Sequence, residues 1–281
     1  MDVDVDGICL DLKIPCKRPR VIINSRKPKN RVRFTLAHEL GHILIPWHMG
    51  SIVDETDVDE NCIDDYWQIE NEANRFASEL LMPEVWVKGQ LQAASNPLVA
   101  LYNVTEQAIV SVQAATIKIM NMLPEGQIIV QLDGGFVISS MRSPGTLASA
   151  PPVGTQVDSD AIFPWAYRWK LGMRGRRFVW WTFPADVPLP AIQTAKEWRE
   201  ILDQMLIDLA PPEIQQFKAT LNGIIAFANG SVRKNRTEGA ILSACLQRLH
   251  SNSTDNLYLE AFLAHDLFDE FIVARIRDFL N

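Results

Sequence analysis

Hydrophobic and polar positions change period several times along the chain, and each change marks an element. Two β-branched runs, residues 8–14 and 21–23, flank a turn rich in proline and arginine, which predicts a short hairpin or sheet edge. Asn30 is placed to cap a helix over residues 31–45, which Pro46 stops. A second helix is predicted over residues 66–82, ended by Pro83. Its residues Ile69, Ala73, Phe76, Ala77, Leu80 and Leu81 recur at helical spacing and form one buried stripe. Residues 85–123 read as helical again, with Thr105 capping a helix that bears Ile109, Val112 and Ile119. Two short β runs within 127–141 surround Asp133-Gly134-Gly135, a turn signal, and residues 143–152 form a Ser/Pro/Gly/Ala loop. Residues 178–183 read as another strand. Helical stripes return from Ala191, first Ile192, Ala195, Trp198, Leu202 and Leu209, and finally Phe271, Arg275 and Phe279. The pattern predicts an α+β chain with two domains: residues 1–124, a short β-sheet plus helices, and residues 125–281, a mixed β/helical region.

Composition narrows the function classes. With 281 residues, 47% hydrophobic and 22% charged, the chain can bury a core and is not a disordered tail. Its 34 acids against 27 Lys and Arg give a net charge of −7, which disfavours general binding to nucleic-acid phosphates or anionic membranes. The segment from Arg168 to Trp181 interleaves cations and aromatics as single-strand binders do. A twisted hairpin with inward aromatics and snorkelling arginines suits an acidic chain better, so direct nucleic-acid binding is not expected. The seven acids between Asp54 and Asp65 and the eight basic residues between Lys17 and Arg33 read as solvated loops. A sharper alternative has the acidic run recruit a basic partner such as a DNA-binding domain. Four scattered cysteines without a C-x-x-C pair read as reduced thiols. No apolar run is long enough to span a bilayer and the amino terminus is acidic, so a cytoplasmic protein with no membrane partner is expected.

Chemistry concentrates in His38-Glu39-Leu40-Gly41-His42. Positions i and i+4 of a helix share a face, so His38 and His42 can direct two imidazole nitrogens at one Zn²⁺ with Glu39 beside them. The ion lowers the pKa of a bound water from about 16 towards roughly 7, and Glu39 takes its proton as the water attacks a peptide carbonyl. Phe34, Ala37, Leu40, Gly41 and Leu44 form an apolar face next to the histidines, which sets them at the boundary of the core. Gly41 in mid-helix costs about 1 kcal/mol relative to Ala, which points to close approach by another element such as a crossing helix.

A third ligand follows from the second helix. At about 100° per residue from Ala73, Glu70 falls near +60°, on the packed arc, and Glu72 near −100°, at its margin. A buried carboxylate must be paired or bind a metal, so Glu70 is the better ligand and Glu72 the runner-up. Asn74, one turn after Glu70, is placed to orient a liganding histidine. His48 is a rival through the metzincin spacing H-E-x-x-H-x-x-G-x-x-H, but Ile45 stands where that pattern needs Gly. His48 and Tyr66 remain candidates for lining the cleft or stabilising an oxyanion.

Together, Val21-Ile-Ile-Asn-Ser25, Arg33-Phe-Thr-Leu-Ala-His-Glu-Leu-Gly-His42, Glu70-Asn-Glu-Ala-Asn-Arg-Phe-Ala77 and Leu80-Leu-Met-Pro83 resemble the ImmA/IrrE family of zinc metallopeptidases over roughly residues 5–124. The resemblance implies a zincin-like domain with a gluzincin-type site: His38, His42 and Glu70 as zinc ligands and Glu39 as general base. It also implies first strands beside the catalytic helix, so that residues 21–25 can hold an extended substrate segment. The implied substrate is a bacterial or phage repressor of the helix-turn-helix type. The implied role of residues 125–281 is substrate choice or regulation, although they do not match the sensor-like carboxyl-terminal domain of the IrrE branch. The alternative is a non-catalytic regulator that keeps the peptidase fold and binds a repressor or toxin.

Overall fold

The computed structural model describes residues 6–53, 63–234, 236–253 and 256–281, with side chains described for these except 51–53 and 63–65. The acidic run at 54–62 and Cys62 lie outside the described residues. The chain is α+β and forms two compact units, Met1–Met122 and Leu123–Asn281.

In the first unit, β1 (Gly7–Leu12) and β2 (Arg20–Ile23) pair antiparallel, with Cys9 opposite Val21. The predicted hairpin is therefore present. Its turn is held by Asp11, which accepts from Lys17 at 2.9 Å and Arg20 at 2.8 Å. A third strand, β3 (Gly50–Val53), completes a sheet of order β2-β1-β3. Four residues beginning with Gly-Ser are too few to show a period, so the sequence pattern does not reveal it.

The first helix, α1 (Lys29–Leu44), starts at Pro28 with no side-chain cap, and Asn30 sits inside its first turn rather than capping it. Its far end is secured from the hairpin. Lys13 Nζ donates to the carbonyls of His42 at 2.7 Å and Ile43 at 2.8 Å, two of the acceptors that a helix terminus leaves unpaired. The second helix, α2 (Ile63–Leu81), buries Ala73, Ala77 and the neighbouring Met82.

The helical stretch beyond Pro83 divides into α3 (Glu84–Ala93), α4 (Pro97–Ala108) and α5 (Val112–Met122). Asn96 caps α4, accepting from Leu98 N and Val99 N at 3.1 Å each, and Ile109 ends it in the left-handed region at φ 54°. Thr105 is not a cap. It is buried inside α4 and its hydroxyl donates to the Leu101 carbonyl at 2.8 Å, the alternative use of a mid-helix threonine.

In the second unit, β4 (Gln127–Asp133), β5 (Phe136–Arg142), β6 (Tyr167–Met173) and β7 (Arg176–Thr182) form an antiparallel sheet of order β5-β4-β7-β6. Gly134 and Gly135 turn the first hairpin with φ of +57° and +90°, conformations that glycine adopts freely. The basic-aromatic segment is the β6–β7 hairpin. Phe178, Trp180 and Trp181 are buried, while Arg168 pairs with Asp160 at 2.7 Å and Arg176 with Asp133. The remaining helices are α6 (Trp198–Leu209), α7 (Ile214–Ser231), α8 (Glu238–Ser253), α9 (Leu257–Leu263) and α10 (Phe268–Leu280). They share a core that includes Leu202, Met205, Ile225, Phe262 and Phe271. Ile192 and Ala195 lie in irregular chain before α6, so their helical spacing is coincidental.

No described helix is long and apolar enough to cross a membrane. Cys9, Cys16 and Cys245 are free thiols. Burial pushes the Cys245 thiol up to about 12, and burial together with the Glu39 carboxylate pushes Cys9 up to about 11.

Candidate metal centre

Two helices supply the centre, and one glycine lets them meet. A Cβ added at Gly41 would lie 3.3 Å from Ala73 Cα and 3.1 Å from Phe76 Cδ1, so α2 crosses α1 against bare backbone. This is the crossing helix that a glycine in mid-helix implies. The crossing brings Glu70 opposite His38 and His42, in the second half of α1. His38 Nε2 lies 3.0 Å from His42 Nε2 and 3.0 Å from Glu70 Oε2, and His42 Nε2 lies 3.4 Å from Glu70 Oε1. All three residues are buried, and one donor atom from each falls within 4.8 Å of the others.

The donor set fits a metal ion. Nitrogen and oxygen ligands about 2.0–2.1 Å from a tetrahedral ion stand about 3.3 Å apart, which is the spacing observed here. Two imidazoles and a carboxylate also leave a coordination position open. Moreover, Glu70 Oε1 is buried with no hydrogen bond of good geometry, its contact being His42 Nε2 at 3.4 Å, an arrangement that a bound cation would satisfy. Burial works to raise the Glu70 pKa, but His38 and His42 outweigh it and hold the carboxyl down at about 2. Burial likewise works to lower His38, but Glu70 and Glu39 prevail and raise it.

Surrounding groups orient these ligands. Asn74 Oδ1 lies 3.0 Å from His38 Nδ1, the contact that its place one turn after Glu70 anticipates. Glu39, on α1, is 3% exposed and its carboxylate lies against Gly7 at the start of β1. A Cβ on Gly7 would come within 2.5 Å of Glu39 Oε1 and of Thr35 Cγ2, so the absence of a side chain at Gly7 leaves room for the carboxylate. A cleft of about 210 Å³, lined by Arg31, Phe34, Thr35, His38, Glu70 and Asn74, opens beside the centre.

His48 and Glu72 lie elsewhere than a ligand or cleft role requires. His48 is fully buried with its Nδ1 2.9 Å from His42 Nδ1, on the side of that ring away from Glu70. Its Nε2 lies 3.1 Å from Glu72 Oε2, which also accepts from Trp47 Nε1 at 2.5 Å. Neither residue belongs to the three-residue cluster. Ile45 stands where the metzincin pattern has glycine, and His48 lies behind His42, at its Nδ1, rather than beside Glu70. Burial and the neighbouring His42 lower the His48 pKa against the pull of Glu72. Tyr66 meets the Trp67 ring edge-on at 6.4 Å and is not among the residues lining the cleft.

The apolar face read from the sequence of α1 is buried only in part, at Ala37 and Gly41. Leu40 and Leu44 are 36% and 56% exposed, whereas Thr35, His38, Glu39 and His42 are buried. Gly7 and Lys13 are missing from the sequence reading altogether. Nothing local marks Gly7, because what it accommodates is 32 residues away along the chain.

Residues 3–119 match the family model of the IrrE N-terminal-like peptidase domain. The first unit is an ImmA/IrrE-family peptidase domain. The match lies wholly within Met1–Met122 and contains α1, α2 and every residue of the centre. No curated protein matches the chain. A metallopeptidase family and a buried His38/His42/Glu70 cluster together indicate a metal ion at this point of the ImmA/IrrE domain.

Proposed function

We propose that this chain, through its ImmA/IrrE-like unit, is a zinc-dependent endopeptidase whose substrate is a helix-turn-helix repressor, and that the unit from Leu123 to Asn281 governs substrate choice or regulation. The observation that carries the reading is the grouping of one donor atom each from His38, His42 and Glu70 in a single buried volume, where the Glu70 Oε1 has no well-formed hydrogen bond.

His38, His42 and Glu70 hold the ion. When bound, it supplies Lewis-acid polarisation of water and of the scissile carbonyl. Glu39 accepts the proton of the attacking water at its carboxylate and delivers it to the leaving amine nitrogen, so that one group serves as base and then as acid. The outer side of β2 carries no partner strand among the described residues, which suits a substrate segment added as a further strand. A net charge of −7 favours a basic partner, as DNA-binding domains are.

The test is Glu39→Gln against His42→Ala, each assayed for zinc content and for cleavage of a repressor encoded beside the protein. Glu39→Gln is expected to keep zinc and lose at least about 10²-fold in cleavage rate; His42→Ala is expected to lose both. Equal depletion of the repressor by wild type and Glu39→Gln would instead establish a non-catalytic binding protein.

A further inference from the structure

We infer that Glu72 and His48 are positioning residues: a one-way hydrogen-bond relay from the surface that sets which nitrogen of His42 is free to bind the metal. The inference rests on the reading of His38, His42 and Glu70 as metal ligands and adds two residues that this reading leaves unused.

A neutral imidazole has one N–H and one lone pair, and which nitrogen holds which is decided by its partners. Glu72 Oε2 can only accept, so the His48 nitrogen beside it at 3.1 Å, Nε2, carries the hydrogen. Its other nitrogen, Nδ1, then presents a lone pair to His42 Nδ1 at 2.9 Å, and His42 Nδ1 must be the donor. The remaining His42 nitrogen, Nε2, is thereby left with its lone pair, and it is this atom that faces His38 Nε2 and Glu70. Reversing the chain would place a hydrogen on His42 Nε2 and block the ligand position. Asn74 does the same for His38 in a single step, accepting from Nδ1 at 3.0 Å and leaving Nε2 for the ion.

The bland alternative is that His48 merely fills the core. Two features speak against it. His48 and His42 are both completely buried, where an undirected pair of rings gains nothing over apolar side chains of similar size. The relay also ends on an anion, and that anion is itself held by the Trp47 indole N–H at 2.5 Å. A carboxylate behind an imidazole strengthens a ligand, and loss of such partners typically weakens metal binding 10–100-fold.

The experiment measures Zn²⁺ affinity by competition with a chromogenic chelator on the full chain, with thermal unfolding as a check on folding. Both His48→Phe, which fills the space without an acceptor, and Glu72→Ala are expected to bind Zn²⁺ about 10–100-fold more weakly than wild type. Glu72→Gln keeps an acceptor oxygen towards His48 and is expected to stay within a few-fold of wild type. The Glu72 pair lies at the rim, so it carries the test if His48→Phe does not fold. Wild-type affinity in Glu72→Ala and in folded His48→Phe overturns the relay while leaving the metal centre intact. A wild-type chain that binds no Zn²⁺ overturns the metal centre and the relay with it.

Discussion

Replacing Gly41 by Ala isolates the helix crossing on which the centre depends. In an exposed mid-helix position the exchange is favourable by about 1 kcal/mol, because glycine loses more backbone freedom on folding. At Gly41 the new methyl meets Phe76 Cδ1 at 3.1 Å, Phe76 Cβ at 3.3 Å and Ala73 Cα at 3.3 Å. Ordinary carbon contacts lie at about 3.5–4.0 Å, so the helices must part by a few tenths of an ångström. The Phe76 ring can swing aside, but Ala73 Cα is backbone and moves only with α2. Such overpacking costs about 1–3 kcal/mol, which offsets the propensity gain and leaves a net loss of about 0–2 kcal/mol. Ala73 is three residues from Glu70, so the same displacement draws the carboxylate away from His38 and His42. Metal affinity then falls about tenfold for every 1.4 kcal/mol of that strain borne by the centre. Gly89→Ala is the internal control: it lies within α3, and nothing stands within 4 Å of its added Cβ. Thermal unfolding followed by circular dichroism, paired with chelator competition, should show Gly89→Ala stabilised by about 1 kcal/mol and Gly41→Ala not. If Gly41→Ala gained stability as Gly89→Ala does and kept full metal affinity, the close crossing would be refuted.

Gly7→Ala should leave the bound metal in place yet reduce peptide cleavage, since its Cβ would displace Glu39 Oε1 from 2.5 Å away; metal content and cleavage rate measured together check this. Burial holds His250, whose ring lies tilted against Trp165 with centroids 4.4 Å apart, down at about 4, well below the ordinary histidine value of 6.5. Because the unfolded chain protonates first, stability should fall as pH drops from 6.5 towards 4, by at most about 1.4 kcal/mol per unit. His250→Phe should remove that component from a pH series of denaturant melts. Zinc at about 100 times its dissociation constant should stabilise the α1–α2 unit against unfolding by about 2.7 kcal/mol, and chelation should reverse it.

Much of the centre is legible in the chain because it is written in local spacing. Two histidines four positions apart, a glutamate next to the first and a carboxylate on the packed arc of the next amphipathic helix require only helical periodicity to interpret. The β1–β2 and β4–β5 hairpins are legible for the same reason, since β-branched runs and a Gly-Gly turn act within a few residues. Boundaries drift where no local signal decides them, as at Pro28, where α1 begins without a side-chain cap.

The sequence by itself determined which residue types are available to hold a metal and the helical spacing that sets His38 beside His42. Only the tertiary structure decided which face of α1 is buried, where His48 goes and what Gly7 is for. The physical reason is that polarity is not a property of a side chain alone. Hydropathy assigns Leu40 and Leu44 to the interior and His38, Glu39 and His42 to its margin, yet the leucines are exposed and the ionisable groups are buried. Burial becomes affordable for those groups through partners supplied by other elements: Glu70 and Asn74 from α2, and the room left beside Gly7 at the start of β1.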